Sequence, residues 1–276
     1  MEIGKNHRLK VAREVDFGMY LTNGTEDILI PRKYIPEGTV IGDEIAVFVY
    51  VDSLGRPVAV TDRPYAKVDD IASLEVKQIT KVGAFMDIGL EKDLLVPFNE
   101  QAYTMEVGKN YVVKVLLDFK TNRMIGTTKI ASFLSPKVEE LSEGDKVNLL
   151  IWQKTDLGYK VVVNSAYQGL AYHNEIFDQV QIGDERTGFV KAVREDGKVD
   201  VSLQKQGYEA VKDMSQIVLN KINMNGVLLL GDKSSPEEIK EELGMSKKNF
   251  KKILGGLYKA GQVEIFDHET RKKAEG

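Results

Sequence analysis

The chain contains no cysteine. That removes disulfides, thiolate nucleophiles and cysteine-ligated zinc together. Histidine is scarce: His7, His173 and His268 are widely separated, and no two share a metal-ligand spacing such as H-x-x-x-H. No G-x-x-x-x-G-K-[ST] phosphate loop and no G-x-S-x-G elbow occur. No run approaches the ~20 apolar residues of a spanning helix. The opening segment, "MEIGKNHRLKVAREVDF", has no apolar stretch behind its charges and does not read as a secretory signal. Acidic pairs such as Asp69–Asp70 and Glu139–Glu140 read as solvated linker charge. These absences lead us to expect a cytoplasmic protein that is not an enzyme, needs no cofactor or metal, and does not enter a membrane.

What is present is ordinary in bulk and repetitive in detail. The 276 residues are 42% hydrophobic and 29% charged, with a net charge of −4. That length accommodates two or more domains. Three segments share one pattern, beginning at Asp16, Lys81 and Asp156. Each has a glycine, an aromatic one or two places on, an apolar run, and a Gly-polar pair leading into a β-rich stretch. A repeated pattern points to one folding unit used again.

Alternating apolar residues and turn signals predict five short strands per copy. In the first they include Gly18–Leu21, Asp27–Pro31 and the hairpin around Ser53–Arg56; in the second, Leu74–Ile79, Ala84–Ile88, Leu94–Val96, Tyr111–Asp118 and Met124–Thr128. The third ends in strands Val190–Val193 and Val199–Leu203 about "REDG". Five strands in so short a segment suggest a small closed barrel of the OB type. After Gln206 the period changes. Val211, Met214, Ile217, Val218 and Ile222 fall at helical spacing. Ser235, Pro236 and Glu238 form a capping-box start, Gly244 ends that helix, Ser246 opens another and Gly261 stops it. The fold class is therefore mainly β with an α/β C-terminal domain. Three tandem five-stranded OB-fold barrels (1–66, 67–138 and 139–206) precede a winged helix-turn-helix domain (207–276).

The repeat resembles the S-one RNA-binding domain. The third copy carries "GYKVVV", "GLAYHNEIF", "IGDERTGFV" and "DGKVDVSLQK"; the second keeps "VGAFMDIG" and "DLLVPFNE"; the first keeps "FGMYL" and "ILIPRKYI". Pro31 and Pro97 stand where that domain usually has His, and Tyr172 takes the place in the third copy. Three such barrels followed by a winged helix are similar to the conserved virulence factor B family of bacterial RNA-binding regulators. The resemblance covers essentially the whole chain and implies RNA binding and post-transcriptional regulation.

Candidate contact residues follow from this pattern. Tyr20 and Phe85 occupy the strand position where a ring stacks on an unpaired base. In the third copy the aromatic is displaced to Tyr159, with Lys160 at the expected place; either Tyr159 is core or a bulge re-aims it. Tyr172 is followed directly by His173, and Lys160, Arg194 and Lys198 are candidate phosphate contacts. The bland reading is that the rings fill barrel interiors and the lysines are merely solvated. On the last helix Lys247, Lys248, Lys251, Lys252 and Lys259 face away from an apolar stripe of Phe250, Ile253, Leu254 and Leu257. This points to phosphate contact, or else to lysines that complement the acidic "EEIKEEL". Apart from Asn249 that helix carries no good base reader, which favours backbone binding over sequence-specific DNA recognition.

The expected partner is single-stranded RNA, with duplex nucleic acid a further candidate at the winged helix. Two rivals stand beside it: a winged-helix DNA-binding transcription regulator with accessory barrels, and a protein-interaction scaffold. The negative net charge tells against a polyanion partner unless cations gather on one face.

Overall fold

The computed structural model describes residues 1–176, 179–203 and 208–273, with only the backbone of 208–213. The expected boundary between 206 and 207, and the side chain of Val211, lie outside the described residues. The chain divides into two compact units, one built on Met1–Leu134 and one from Ser135 onward.

The first barrel comprises β1 (Lys5–Val15), β2 (Gly18–Thr22), β3 (Asp27–Pro31), β4 (Glu44–Val51) and β5 (Pro57–Val60). The strands close in the order β1-β2-β3-β5-β4, with β3 and β5 parallel. Alternation decides which side chains go inside: Met19, Leu21, Ile28 and Ile30 are buried, whereas Tyr20 and Leu29 lie on the outer face and are half-buried. The second barrel repeats this order with β6 (Ile71–Thr80), β7 (Gly83–Met86), β8 (Leu94–Pro97), β9 (Asn110–Leu117) and β10 (Met124–Thr127). The third uses β11 (Lys146–Lys154), β12 (Gly158–Val163), β13 (Tyr167–Tyr172), β14 (Glu185–Val193) and β15 (Val199–Ser202). All three are OB-type barrels.

Two details recur in every barrel. The first strand bulges against the second, between Val11 and Arg13, Val76 and Gln78, and Ile151 and Gln153. The second strand begins with a glycine pressed on the third. A Cβ on Gly18, Gly83 or Gly158 would stand 2.2, 2.2 or 2.1 Å from the carbonyl oxygen of Ile30, Val96 or Ala171. Only glycine permits that approach, which explains why the repeat keeps it while its other residues drift.

Within the first unit the two barrels share apolar packing: Phe48, Tyr50, Val58 and Val60 form a cluster to which Leu90 and Met124 add. Lys5 donates to the Val68 carbonyl at 2.7 Å and pairs with Asp69 at 2.7 Å.

The last domain runs α1 (Tyr208–Asn225), β16 (Val227–Leu228), α2 (Pro236–Leu243), α3 (Lys247–Lys259), β17 (Val263–Ile265) and β18 (Thr270–Lys272). Its three-stranded sheet has the order β16-β18-β17, and this layout is a winged helix. The capping box of α2 forms as expected: Ser235 Oγ accepts from the Glu238 amide at 3.1 Å, and the Glu238 carboxylate accepts from the Ser235 amide at 2.7 Å. Phe250, Ile253, Leu254 and Leu257 of α3 are all buried, packed with Val218, Ile222 and Ile239. Ile217, expected on the buried face of α1, is instead 46% exposed. It lies one residue beside the buried Val218, at the edge of a stripe that α1 buries only in part.

Candidate nucleic-acid interface

The strand registers align the three barrels residue by residue. Tyr20 faces Arg13 across β1–β2 and Leu29 across β2–β3. Phe85 faces Gln78 and Leu95 in the same way, and Lys160 faces Gln153 and Leu170. Tyr20, Phe85 and Lys160 thus hold one equivalent outer-face position. Pro31, Pro97 and Tyr172 are likewise equivalent, each opposite the strand-opening glycine.

Tyr159 sits at the position of the buried Met19 and Ala84, and it is half-buried against the core of the third barrel. Of the two alternatives, the inward one describes it. The bulge lies on β11 at Trp152, so it leaves the alternation of β12 intact. The Tyr159 ring meets His173 edge-on at 5.3 Å, and the exposed His173 lies with Nε2 2.8 Å from the Thr155 carbonyl.

Cations accompany the outer rings. The Arg13 guanidinium lies 4.1 Å over the Tyr20 ring while pairing with Asp27, and that bond holds the Asp27 carboxyl below its ordinary pKa. Lys160 lies 5.5 Å over the Trp152 ring and donates to Gln153 Oε1 at 3.2 Å. Tyr172 stands between two cations. Arg194 donates to its hydroxyl at 2.7 Å and pairs with Asp200, while Lys191 lies 5.9 Å over its ring and pairs with Glu175. Lys198 pairs with Asp196 at 2.6 Å. The barrel cations are therefore held largely by carboxylates: Arg13 and Lys198 in exposed pairs, Arg194 and Lys191 in half-buried ones.

The helix differs. Lys247, Lys248, Lys252 and Lys259 form no ion pair among the described residues, and Lys248, Lys252 and Lys259 are exposed. No lysine of α3 forms an ion pair with a glutamate of α2 among them either, although the Glu238 carboxyl, held below its ordinary pKa by the Ser235 amide, is lowered further by Lys247. Lys251 pairs with Asp232 at 2.9 Å, with both side chains about half exposed.

Three groups escaped sequence reasoning. Lys191 joins Tyr172 only through the fold of β14. Phe17, 59% exposed, precedes the first strand-opening glycine, and "DFG" was its available signal. The wing between β17 and β18 carries Arg271 5.4 Å from the Phe266 ring, followed by the exposed Lys272 and Lys273.

Serial barrels of this register ending in a winged helix define a class: proteins assembled from nucleic-acid-binding domains. Residues 3–62 match the S1 domain and residues 216–271 the CvfB-like winged helix domain. The chain is 29% identical over 273 residues to protein YitL of Bacillus subtilis (strain 168), covering 95% of this chain and 91% of that one. It is 26% identical over 233 residues to conserved virulence factor B of Staphylococcus epidermidis (strain RP62A), covering 82% and 78%. A crystal structure of a multidomain protein with nucleic acid binding domains from Streptococcus pneumoniae TIGR4 aligns over 98% of both chains, at 22% identity and a TM-score of 0.45. The likeness to the conserved virulence factor B family, first read from the repeat, is shown by the two domain matches and the two sequence relatives. No described helix is long and apolar enough to cross a membrane.

Proposed function

We propose that the protein is a cytoplasmic, non-enzymatic regulator of gene expression that binds single-stranded RNA. Unpaired bases stack on the outer rings of the barrels, and phosphates meet the cations beside those rings and on α3. The four modules, 1–66, 67–138, 139–206 and 207–276, act in series, so that several weak contacts sum through effective concentration. The observation that carries this reading is the shared outer-face position: two barrels fill it with a half-buried ring and the third with a cation. Rings on such a face serve unpaired bases, since duplex DNA keeps its own bases stacked. The α3 lysines favour a phosphate partner and leave open duplex binding at the winged helix.

The test is a titration of the whole chain against a single-stranded oligoribonucleotide and a duplex DNA over a salt series. We expect preference for the unpaired RNA, affinity that falls as salt rises, and weaker binding on Tyr172→Ala or Lys252→Glu with the fold retained. Preference for the duplex would favour a DNA-binding regulator. No nucleic-acid affinity and no salt dependence would favour a protein scaffold.

A further inference from the structure

Within the first unit, the first two barrels border a cleft of ≈ 420 Å³, inside the size range of small-molecule sites, about 300–1,000 Å³. Phe85 lies on its barrel-two side, with Gln78 beside it in register on β6. Asp93 immediately precedes β8. Alternation along that strand puts it on the same outer face as Leu95, which faces Phe85. Barrel one supplies the facing wall, including Tyr34 and Lys33. The two walls are joined by contacts: Lys33 pairs with Glu91 at 2.6 Å, and the Tyr34 hydroxyl donates to the same carboxylate at 3.0 Å.

Two polar groups in this cleft are unclaimed. The half-buried Asp93 carboxylate and the exposed Gln78 amide have no hydrogen-bond partner among the described residues. Burial, reinforced by Asp87 and partly opposed by Lys77, pushes the Asp93 pKa up. A half-buried carboxylate without donors is costly to keep charged, and a ligand bearing donors would relieve that cost. An aromatic plate flanked by an acceptor-only group and an amide suits a nucleobase, stacked by its face and read along its edge.

The acceptor narrows the choice. Guanine alone among the four standard RNA bases offers two adjacent N–H donors on its pairing edge, N1–H and the N2 amino group. Adenine, cytosine and uracil each present one donor position there. A carboxylate has two oxygens and takes two parallel donors bidentately. We infer that this cleft is a guanine pocket, with the base stacked on Phe85 and its two donors accepted by Asp93. The inference rests on the RNA-binding reading only for the source of the base, which is either an unpaired position in a strand or a free guanine nucleotide.

The experiment uses the whole chain and two kinds of probe. The first is an oligouridylate carrying one central guanosine, compared with the all-uridine strand and with a strand carrying inosine, which lacks the N2 amino group. The second is guanosine monophosphate alone, followed by calorimetry. The guanosine strand should bind about tenfold tighter than either comparison strand. The isosteric Asp93→Asn should erase that preference while leaving affinity for the all-uridine strand unchanged, and Phe85→Leu should weaken the guanosine strand with the melting temperature retained. Monophosphate binding that depends on Asp93, without strand preference, would support the pocket and identify a free nucleotide as its ligand. No guanine advantage with either probe, or an advantage that survives Asp93→Asn, overturns the inference while binding of the all-uridine strand keeps the broader reading intact. If no strand binds at all, the broader reading falls and the monophosphate alone decides this one.

Discussion

Replacing Gly158 by alanine tests the physical account of the repeat. The new methyl carbon would stand 2.1 Å from the Ala171 carbonyl oxygen and 2.8 Å from the Tyr172 Cα. Carbon and oxygen approach one another to about 3.3 Å even in the close contacts of sheets, so β12 and β13 must part by roughly 1 Å at that end. Overpacking of this kind costs about 1–3 kcal/mol. Stretching one or two ladder bonds adds about 0.5–1.5 kcal/mol each. Alanine's smaller unfolded-state entropy returns about 0.4–1 kcal/mol. The net expectation is a loss of about 2–3 kcal/mol, confined to the third barrel.

The assay is built into the chain. Trp152 is the one tryptophan, it is 5% exposed, and it is the bulged residue on β11 beside the Gln153–Lys160 pair. Its fluorescence therefore follows the barrel that Gly158 perturbs. With a urea m-value near 1 kcal/mol/M for so small a barrel, the midpoint should fall by about 2 M. Leu157→Ala, at a residue 66% exposed, serves as the control and should move stability by less than about 0.5 kcal/mol. If Gly158→Ala shifts the midpoint no more than Leu157→Ala does, close approach is not why the glycine recurs.

Three further expectations follow from single sites. Gly255 lies inside α3 with nothing within 4 Å of an added Cβ, so Gly255→Ala should stabilise the winged helix by about 0.5–1 kcal/mol in thermal unfolding. Because burial raises the Asp93 pKa in the folded state, its ionisation weakens the fold progressively as pH rises from the unfolded pKa through the folded one. Asp93→Asn should therefore raise the melting temperature at neutral pH, and the advantage should vanish below the unfolded carboxylate's pKa, about 3.9. Replacing Lys248 and Lys252 together by alanine should reduce the slope of log affinity against log salt by about 1.4, at ~0.7 per single-strand phosphate contact. An unchanged slope would remove α3 from the interface.

The fold was legible where a local rule has a strict period. The 3.6 period isolated the buried stripe of α3, whereas setting Tyr20 and Phe85 on the outer face needed the likeness to the S-one repeat. Capping chemistry marked both ends of α2 because a cap needs only residues a few places apart. What was not legible depends on partners distant in sequence. Nothing in "GMSKKNFKK" announces that Lys251 meets Asp232 while Lys252 meets no carboxylate among the described residues. Nothing near Tyr172 announces Lys191, nineteen places further on. The displaced aromatic Tyr159 could be assigned to the core only once the bulge was found on β11 rather than β12. Ile217 was misplaced because helical spacing gives the centre of an apolar stripe better than its edges.

The acidic net charge also takes on a definite meaning from the way the cations are held. At the barrel faces several sit in ion pairs, and two of these, Arg13 with Asp27 and Lys198 with Asp196, are exposed. Exposed pairs of this kind are worth little, with a median of about 0–1 kcal/mol. A phosphate can replace the carboxylate at small cost, but each exchange also yields little net attraction. Among the described residues Lys248, Lys252 and Lys259 have no such partner to give up, so each phosphate contact there would add its full share of counterion release. On the proposed reading the division of labour that follows is physical: α3 would supply the salt-sensitive attraction, and the barrel rings contacts that persist at higher salt. Tyr172→Ala should accordingly lower affinity by a similar factor at every salt concentration, whereas Lys252→Glu should lower it most when salt is low. Two substitutions with the same salt profile would show that ring and lysine do not play separate parts.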